Sequence, residues 1–111
     1  QLGVLIMTNK IETATESDNQ AIQAAREQIN QLDQGIVDLL KQRFQTSALI
    51  GQIKENSQLP VIDGDREREV LNQVAQLDSD PGTRKYLQKI FQEILKNSRD
   101  YQHELMQKET K

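Results

Sequence analysis

An apolar repeat at helical spacing runs without a proline from about residue 18 to about residue 53. Its positions recur every three or four residues, at Ile22, Ala25, Ile29, Leu32, Ile36 and Leu39. This spacing places the side chains on one face of an amphipathic helix. Ser17 or Asp18 is expected to cap its start. The repeat therefore predicts one very long N-terminal helix.

The length of this helix constrains the whole fold. At roughly 40 residues it would span about 55–60 Å, whereas a compact chain of 111 residues has a radius of gyration of only about 13 Å. Its own chain cannot wrap such a helix, so the apolar face is expected to pack against a second copy. We predict an all-α fold of three helices per protomer in an intertwined homodimer. Residues 1–17, in which Met7 is a candidate native start, are expected to form a flexible tail before a domain at 18–111.

Composition excludes several classes of function. The net charge of −3 and the lack of a basic block argue against nucleic acid or an anionic membrane as partner. The chain has no Cys and one His, which excludes thiolate chemistry and makes a His-based metal site or a Ser-His-Asp triad implausible. We therefore expect no metal and no cofactor. The absence of Cys also fits a cytoplasmic location.

Two shorter helices are expected after the loop at residues 56–60. Asp63 and Gly64 open the second helix, which carries Val70, Leu71, Val74 and Leu77 on one stripe. Asp80 is a natural N-cap and Pro81 a natural first residue for the third helix. The apolar positions of that helix are Leu87, Ile90, Phe91, Ile94, Leu95 and Leu105.

Polar or charged residues lie on the same helix face as each of the three apolar stripes. Arg43 and Lys54 interrupt the first, Asp63 and Glu67 extend the second, and Ser98 and Gln102 lie on the third. Each has an ordinary explanation taken singly, such as a snorkelling side chain, a helix cap or a charge favoured by the helix dipole. Together they place six polar groups on the inward faces of three helices. This pattern indicates a binding site for a small anion.

The chain resembles the all-helical (AroQ-type) chorismate mutases over residues 20–107. Arg26, Arg43 and Lys54 follow one another at intervals of 17 and 11 residues, and the segment VIDGDRER at 61–68 supplies an Asp-x-x-Arg-Glu element. The third helix agrees in Phe91 and in the Ser-x-x-x-Gln pair formed by Ser98 and Gln102. An ordered set of charged positions is more specific than one short motif.

The resemblance implies a homodimer that converts chorismate to prephenate by a Claisen rearrangement, on the route to phenylalanine and tyrosine. By the same resemblance, Arg43 and the partner's Arg26 bind the two substrate carboxylates, and Ser98 contacts a carboxylate. Lys54 and Gln102 donate hydrogen bonds to the ether oxygen. Such a reaction needs orientation and electrostatic stabilisation rather than a nucleophile, a metal or a cofactor.

The remaining roles also follow from the resemblance. Glu67 accepts a hydrogen bond from the ring hydroxyl, helped by the backbone around Asp63, and Arg66 supports the site by holding Glu67 or Asp63. Arg99 departs from the family pattern, in which an apolar residue follows the serine. A free-standing mutase is expected, since no second catalytic domain follows the match.

Two alternatives remain open from the sequence. An isochorismate-pyruvate lyase of the same fold would use a similar cationic pocket. A non-catalytic helical dimer, either a scaffold or a regulatory domain, would bind a ligand without turnover. Gln102 and the Asp63-x-x-Arg66-Glu67 element favour the mutase.

Overall fold

Three α-helices make up the structure, a computed structural model that describes the backbone of residues 2–109 and the side chains of residues 15–108. In chain order they are α1 (Leu2–Asn56), α2 (Gly64–Leu77) and α3 (Pro81–Glu109). No strand occurs within residues 2–109. The prediction of an all-helical chain with a long first helix is confirmed.

The start of α1 differs from the prediction. Ser17 and Asp18 lie inside the helix instead of capping it. Both are good caps, but nothing in the neighbouring sequence, such as a proline or glycine, stops the helix from extending past them. The prediction of a flexible tail at 1–17 stays a prediction, because it falls mostly on residues whose side chains lie outside the described part.

The chain divides into two units, Gln1–Leu40 and Lys41–Lys111. In the first unit, every described side chain from residue 15 to residue 39 is exposed. The apolar stripe is included, with Ile22 46%, Leu32 58% and Leu39 66% exposed. This stripe therefore has no partner within its own unit.

The second unit contains a small apolar core between α2 and α3. Val70, Val74 and Leu95 are its buried members. Leu71, Leu87 and Phe91 pack against them and remain partly exposed. The end of α1 joins this unit through side chains, among them an edge-to-face contact of Phe44 with Tyr101 whose ring centroids are 5.6 Å apart.

Local capping places the start of each shorter helix where the sequence predicts it. The Asp63 side chain accepts a hydrogen bond from the backbone N–H of Arg66 at 3.1 Å and caps α2. The Asp80 side chain accepts from the backbone N–H of Gly82 at 2.8 Å at the start of α3. Both predicted caps are confirmed.

Within the described part of the chain, no helix combines the length and the apolar character needed to cross a membrane.

Candidate active site

A cavity of about 270 Å³ lies in the second unit and is lined by residues of all three helices. The last four turns of α1, the first turns of α2 and the second half of α3 contribute its walls. Seven of the eight predicted site residues line it, namely Arg43, Lys54, Asp63, Arg66, Glu67, Ser98 and Gln102. The eighth, Arg26, is exposed on α1 in the first unit and does not line this cavity.

Arg43 reaches across from α1 to α3. Its guanidinium donates a hydrogen bond to the Ser98 hydroxyl at 2.9 Å, and Ser98 is only 6% exposed. Burial lowers the pKa of Arg43 from its usual value, and the nearby positive charge of Arg66 lowers it further. An arginine stays protonated despite such a shift. No carboxylate pairs with Arg43 among the described residues, so its charge is available to an anion.

Lys54 brings a second cation to the cavity from the last turn of α1. Its side chain is partly buried. Within residues 15–108 its ammonium group has no hydrogen-bond or ion-pair partner, because every ion pair found there uses other residues. A cation is favoured at a helix C-terminus by the helix dipole. Lys54 therefore offers all three N–H donors to a ligand.

Gln102 is held on the cavity wall by the backbone of α1. Its side-chain amide nitrogen donates to the Ser47 carbonyl oxygen at 2.6 Å. A primary amide has two N–H donors, so one remains for a ligand. Gly51 lies beside this side chain, and a Cβ built there would be 3.3 Å from Gln102 Cγ. The absence of a side chain at Gly51 thus leaves room for the Gln102 amide.

Glu67 and Arg99 form an ion pair across the cavity wall, between α2 and α3. Their side chains are 25% and 31% exposed, which makes this pair less exposed than the other ion pairs of the described residues. Arg99 departs from the family pattern, and its contact with Glu67 was not predicted from the sequence. Its position four residues after Leu95, an inward-facing apolar residue, was the available signal.

Asp63 and Arg66 interact differently from the prediction. The backbone N–H of Arg66 donates to the capping side chain of Asp63, but the Arg66 guanidinium pairs with Glu69 at 3.0 Å and holds neither Glu67 nor Asp63. Glu69 lies three residues further along the same helix, which is the ordinary spacing for a side-chain pair. The support expected from Arg66 for Glu67 comes from Arg99 instead.

The arrangement therefore combines two cations that have no counter-ion within residues 15–108, one hydroxyl, one tethered amide and one fixed carboxylate. Such a set binds an anion and directs hydrogen-bond donors at a chosen atom.

Comparison with known proteins identifies the family of the chain. A family model described as chorismate mutase type II matches residues 25–103. Searches of curated proteins and of solved structures found no match. The matched span covers more than half of the chain and contains Arg26 together with all seven predicted cavity residues. The chain therefore belongs to the chorismate mutase type II family, the all-helical isomerases that act in aromatic amino acid biosynthesis.

Proposed function

We propose that this chain rearranges chorismate to prephenate in the cavity lined by Arg43, Lys54 and Gln102. The observation that carries the proposal is the pairing pattern of the cavity. Arg43 and Lys54 lack carboxylate partners among the described residues, whereas the other two cations on the cavity wall are each paired with a glutamate. Two unpaired cations suit a dianionic substrate, because Arg43 can bind a carboxylate and Lys54 can donate to an oxygen on which negative charge develops.

Arg43 and Ser98 are proposed to bind one substrate carboxylate together. The planar guanidinium of arginine can bind a carboxylate through two parallel hydrogen bonds. Ser98 accepts from Arg43, so its own O–H stays available to donate. This contact also limits the rotamers of Arg43, which lowers the entropy lost when the substrate binds.

Lys54 and Gln102 are proposed to act on the ether oxygen. In a Claisen rearrangement one C–C bond forms while the ether C–O bond breaks, and negative charge grows on that oxygen. Donors already oriented toward it stabilise the transition state more than the ground state. Gln102 is neutral at ordinary pH, so the reaction should not require acidic conditions.

Glu67 is proposed to accept a hydrogen bond from the ring hydroxyl. The backbone that Asp63 caps at the start of α2 lies beside it on the same cavity wall. Arg66 lies on that wall too, with its guanidinium paired to Glu69. Together these groups favour the compact substrate conformer that reacts, which is an orientation effect.

The active form is proposed to be a homodimer in which the partner copy's first helix completes the site. The exposed apolar stripe of α1 supports this, because an uncovered stripe of this length is unfavourable in water. Arg26 lies on that part of α1 and would bind the second carboxylate in the partner's cavity. The cytoplasmic location stays a prediction.

The proposal is tested by following loss of chorismate absorbance with the purified full chain. The assay contains a metal chelator and no added cofactor, and chromatography identifies the product. We expect prephenate, and loss of its formation in Arg43→Ala. Lys41→Ala is the matched control, because Lys41 lies on the same helix, is exposed and is outside this cavity.

Two other outcomes would contradict the proposal. Turnover of isochorismate to salicylate and pyruvate, with chorismate unchanged, would identify a lyase. Binding of prephenate without turnover of either compound, in a folded protein, would identify a regulatory domain.

A further inference from the structure

We infer that Arg99 is a positioning residue for Glu67, which orients the glutamate so that one carboxylate oxygen stays available to the substrate hydroxyl. The inference rests on the proposed function, because it assigns Glu67 the hydroxyl of chorismate. Arg99 stands where the resemblance to the family predicts an apolar residue.

The hydrogen bonding of Glu67 supports this role. Arg99 donates to Glu67 Oε1. Within the described residues, Glu67 Oε2 has no hydrogen-bond partner, and both side chains line the cavity. A carboxylate has acceptor capacity on both oxygens. One oxygen is therefore anchored while the other remains free to accept.

The position of the pair in the fold makes the anchor rigid. Glu67 lies one helical turn before Val70 on α2, and Arg99 lies one turn after Leu95 on α3. Val70 and Leu95 are both buried in the apolar core. The ion pair therefore extends the α2–α3 packing to the cavity wall, where side chains set by packing hold a site more precisely than exposed ones.

The pairing also explains how the cavity accommodates an additional arginine. An unpaired Arg99 would add a further positive charge beside Arg43 and Lys54. Glu67 neutralises it, so Arg43 remains the cation of this wall proposed for a substrate carboxylate and Lys54 the one proposed for the ether oxygen. An alternative role, in which Arg99 itself binds the substrate, would require this pair to break.

The inference is tested by a double-mutant cycle with chorismate as the substrate. The variants are Arg99→Met, Glu67→Gln and the double variant, because Met keeps an unbranched stem and the helix propensity of Arg but donates no hydrogen bond. We expect Arg99→Met to lower kcat/KM by about 10- to 100-fold, the range that misplacement of a catalytic group produces. The double variant should then have a kcat/KM no lower than that of Glu67→Gln. Arg99→Lys, which keeps one charged donor, should recover part of the loss.

Thermal unfolding separates positioning from a purely structural role. We expect Arg99→Met to remain folded at the assay temperature. Unfolding would then not account for its loss of kcat/KM. Arg68→Gln is the control, since Arg68 pairs with Asp65 on the exposed side of α2 and should keep wild-type kcat/KM.

Each contrary result is distinct. Losses that multiply in the double variant would show that Arg99 acts on the substrate directly, and unchanged kcat/KM in Arg99→Met would show that it does not position Glu67. Either result would overturn the inference and leave the proposed function in place. No chorismate turnover by the unmodified chain would overturn both.

Discussion

The packing of Gly51 against Gln102 shows how a single residue can determine the geometry of the site. Gly51 is buried, and a Cβ there would be 3.3 Å from Gln102 Cγ and 3.4 Å from its amide nitrogen. At such distances the glutamine must move. Because its amide is held by the Ser47 carbonyl, movement would disturb the donor proposed for the ether oxygen.

We therefore predict that Gly51→Ala lowers kcat by about tenfold without a comparable loss of stability. Alanine favours the helix by about 1 kcal/mol over glycine, which offsets the crowding. Steady-state kinetics and thermal unfolding measure the two effects. Gly35→Ala is the control on the same helix, since a Cβ there meets no atom within 4 Å. Equal kcat in Gly51→Ala and the unmodified chain would contradict the role given to Gln102.

Lys54 provides the second prediction at the residue scale. Lys54→Ala removes a charged donor from the position where transition-state charge develops, and one such donor is worth about 10²- to 10³-fold in rate. We expect kcat to fall by at least this factor while the thermal midpoint changes little, because the ammonium has no partner among the described residues. A folded Lys54→Ala protein with the original kcat would favour a non-catalytic binding domain.

At the scale of elements, hydrogen bonds to the Asp78 side chain stabilise the turn between α2 and α3. The Asp78 side chain accepts from the Thr83 hydroxyl at 2.6 Å and from the backbone N–H of Asp80 at 2.9 Å. These hydrogen bonds, that from Thr83 first, lower the pKa of Asp78 below its usual value. They favour the charged form in the folded state only. The turn is therefore stabilised by ionised Asp78.

The sign of the pH effect follows from this shift. A carboxyl whose folded pKa is depressed contributes stability that is present above its unfolded pKa, about 3.9, and is lost as pH falls through the folded pKa. We predict that the thermal midpoint of the unmodified chain falls more between pH 5 and pH 2 than that of Asp78→Asn. Thr83→Ala, which removes the hydrogen bond that lowers the pKa of Asp78 most, should also reduce this dependence. Identical pH dependence in all three proteins would exclude the contribution of Asp78.

At the scale of the whole molecule, the exposed stripe of α1 is the basis for the proposed dimer. Its side chains are apolar at helical spacing, and those from Ile22 to Leu39 are about half exposed or more in the single chain. We expect sedimentation at micromolar concentration to give a dimer. A monomer at that concentration would contradict the role of Arg26 in the partner's site.

Mixing two inactive variants tests the shared site directly. A mixed dimer contains one Arg26→Ala chain and one Arg43→Ala chain. If each site uses Arg43 of one chain and Arg26 of the other, one of its two sites has both arginines and the other has neither. Random exchange of subunits should therefore restore about a quarter of the original activity. The control is each variant alone at the same total concentration. If both arginines acted within one chain, mixing would restore nothing.

Much of this molecule could be predicted from local patterns. Period and capping depend on residues a few positions apart, so the three helices, the caps at Asp63 and Asp80, and the shared face of Ser98 and Gln102 were predictable. The start of α1 was not, because a good capping residue does not end a helix that can continue past it. The family was also evident from the ordered charges, since their spacing along each helix reflects the site they line.

Contacts between helices needed the tertiary structure. Glu67 and Arg99 are 32 residues apart in the chain, and the contacts of Ser98 with Arg43 and of Gln102 with Ser47 each span 55 residues. Spacing within one helix shows which side chains share a face, but not which neighbour they meet across the packing. By itself the sequence determined the helices, the family and most of the cavity residues. Only the packing of α2 against α3 and the end of α1 decided that Arg99, and not Arg66, pairs with Glu67, and that Arg43 and Lys54 meet no carboxylate among the residues whose side chains the structure describes.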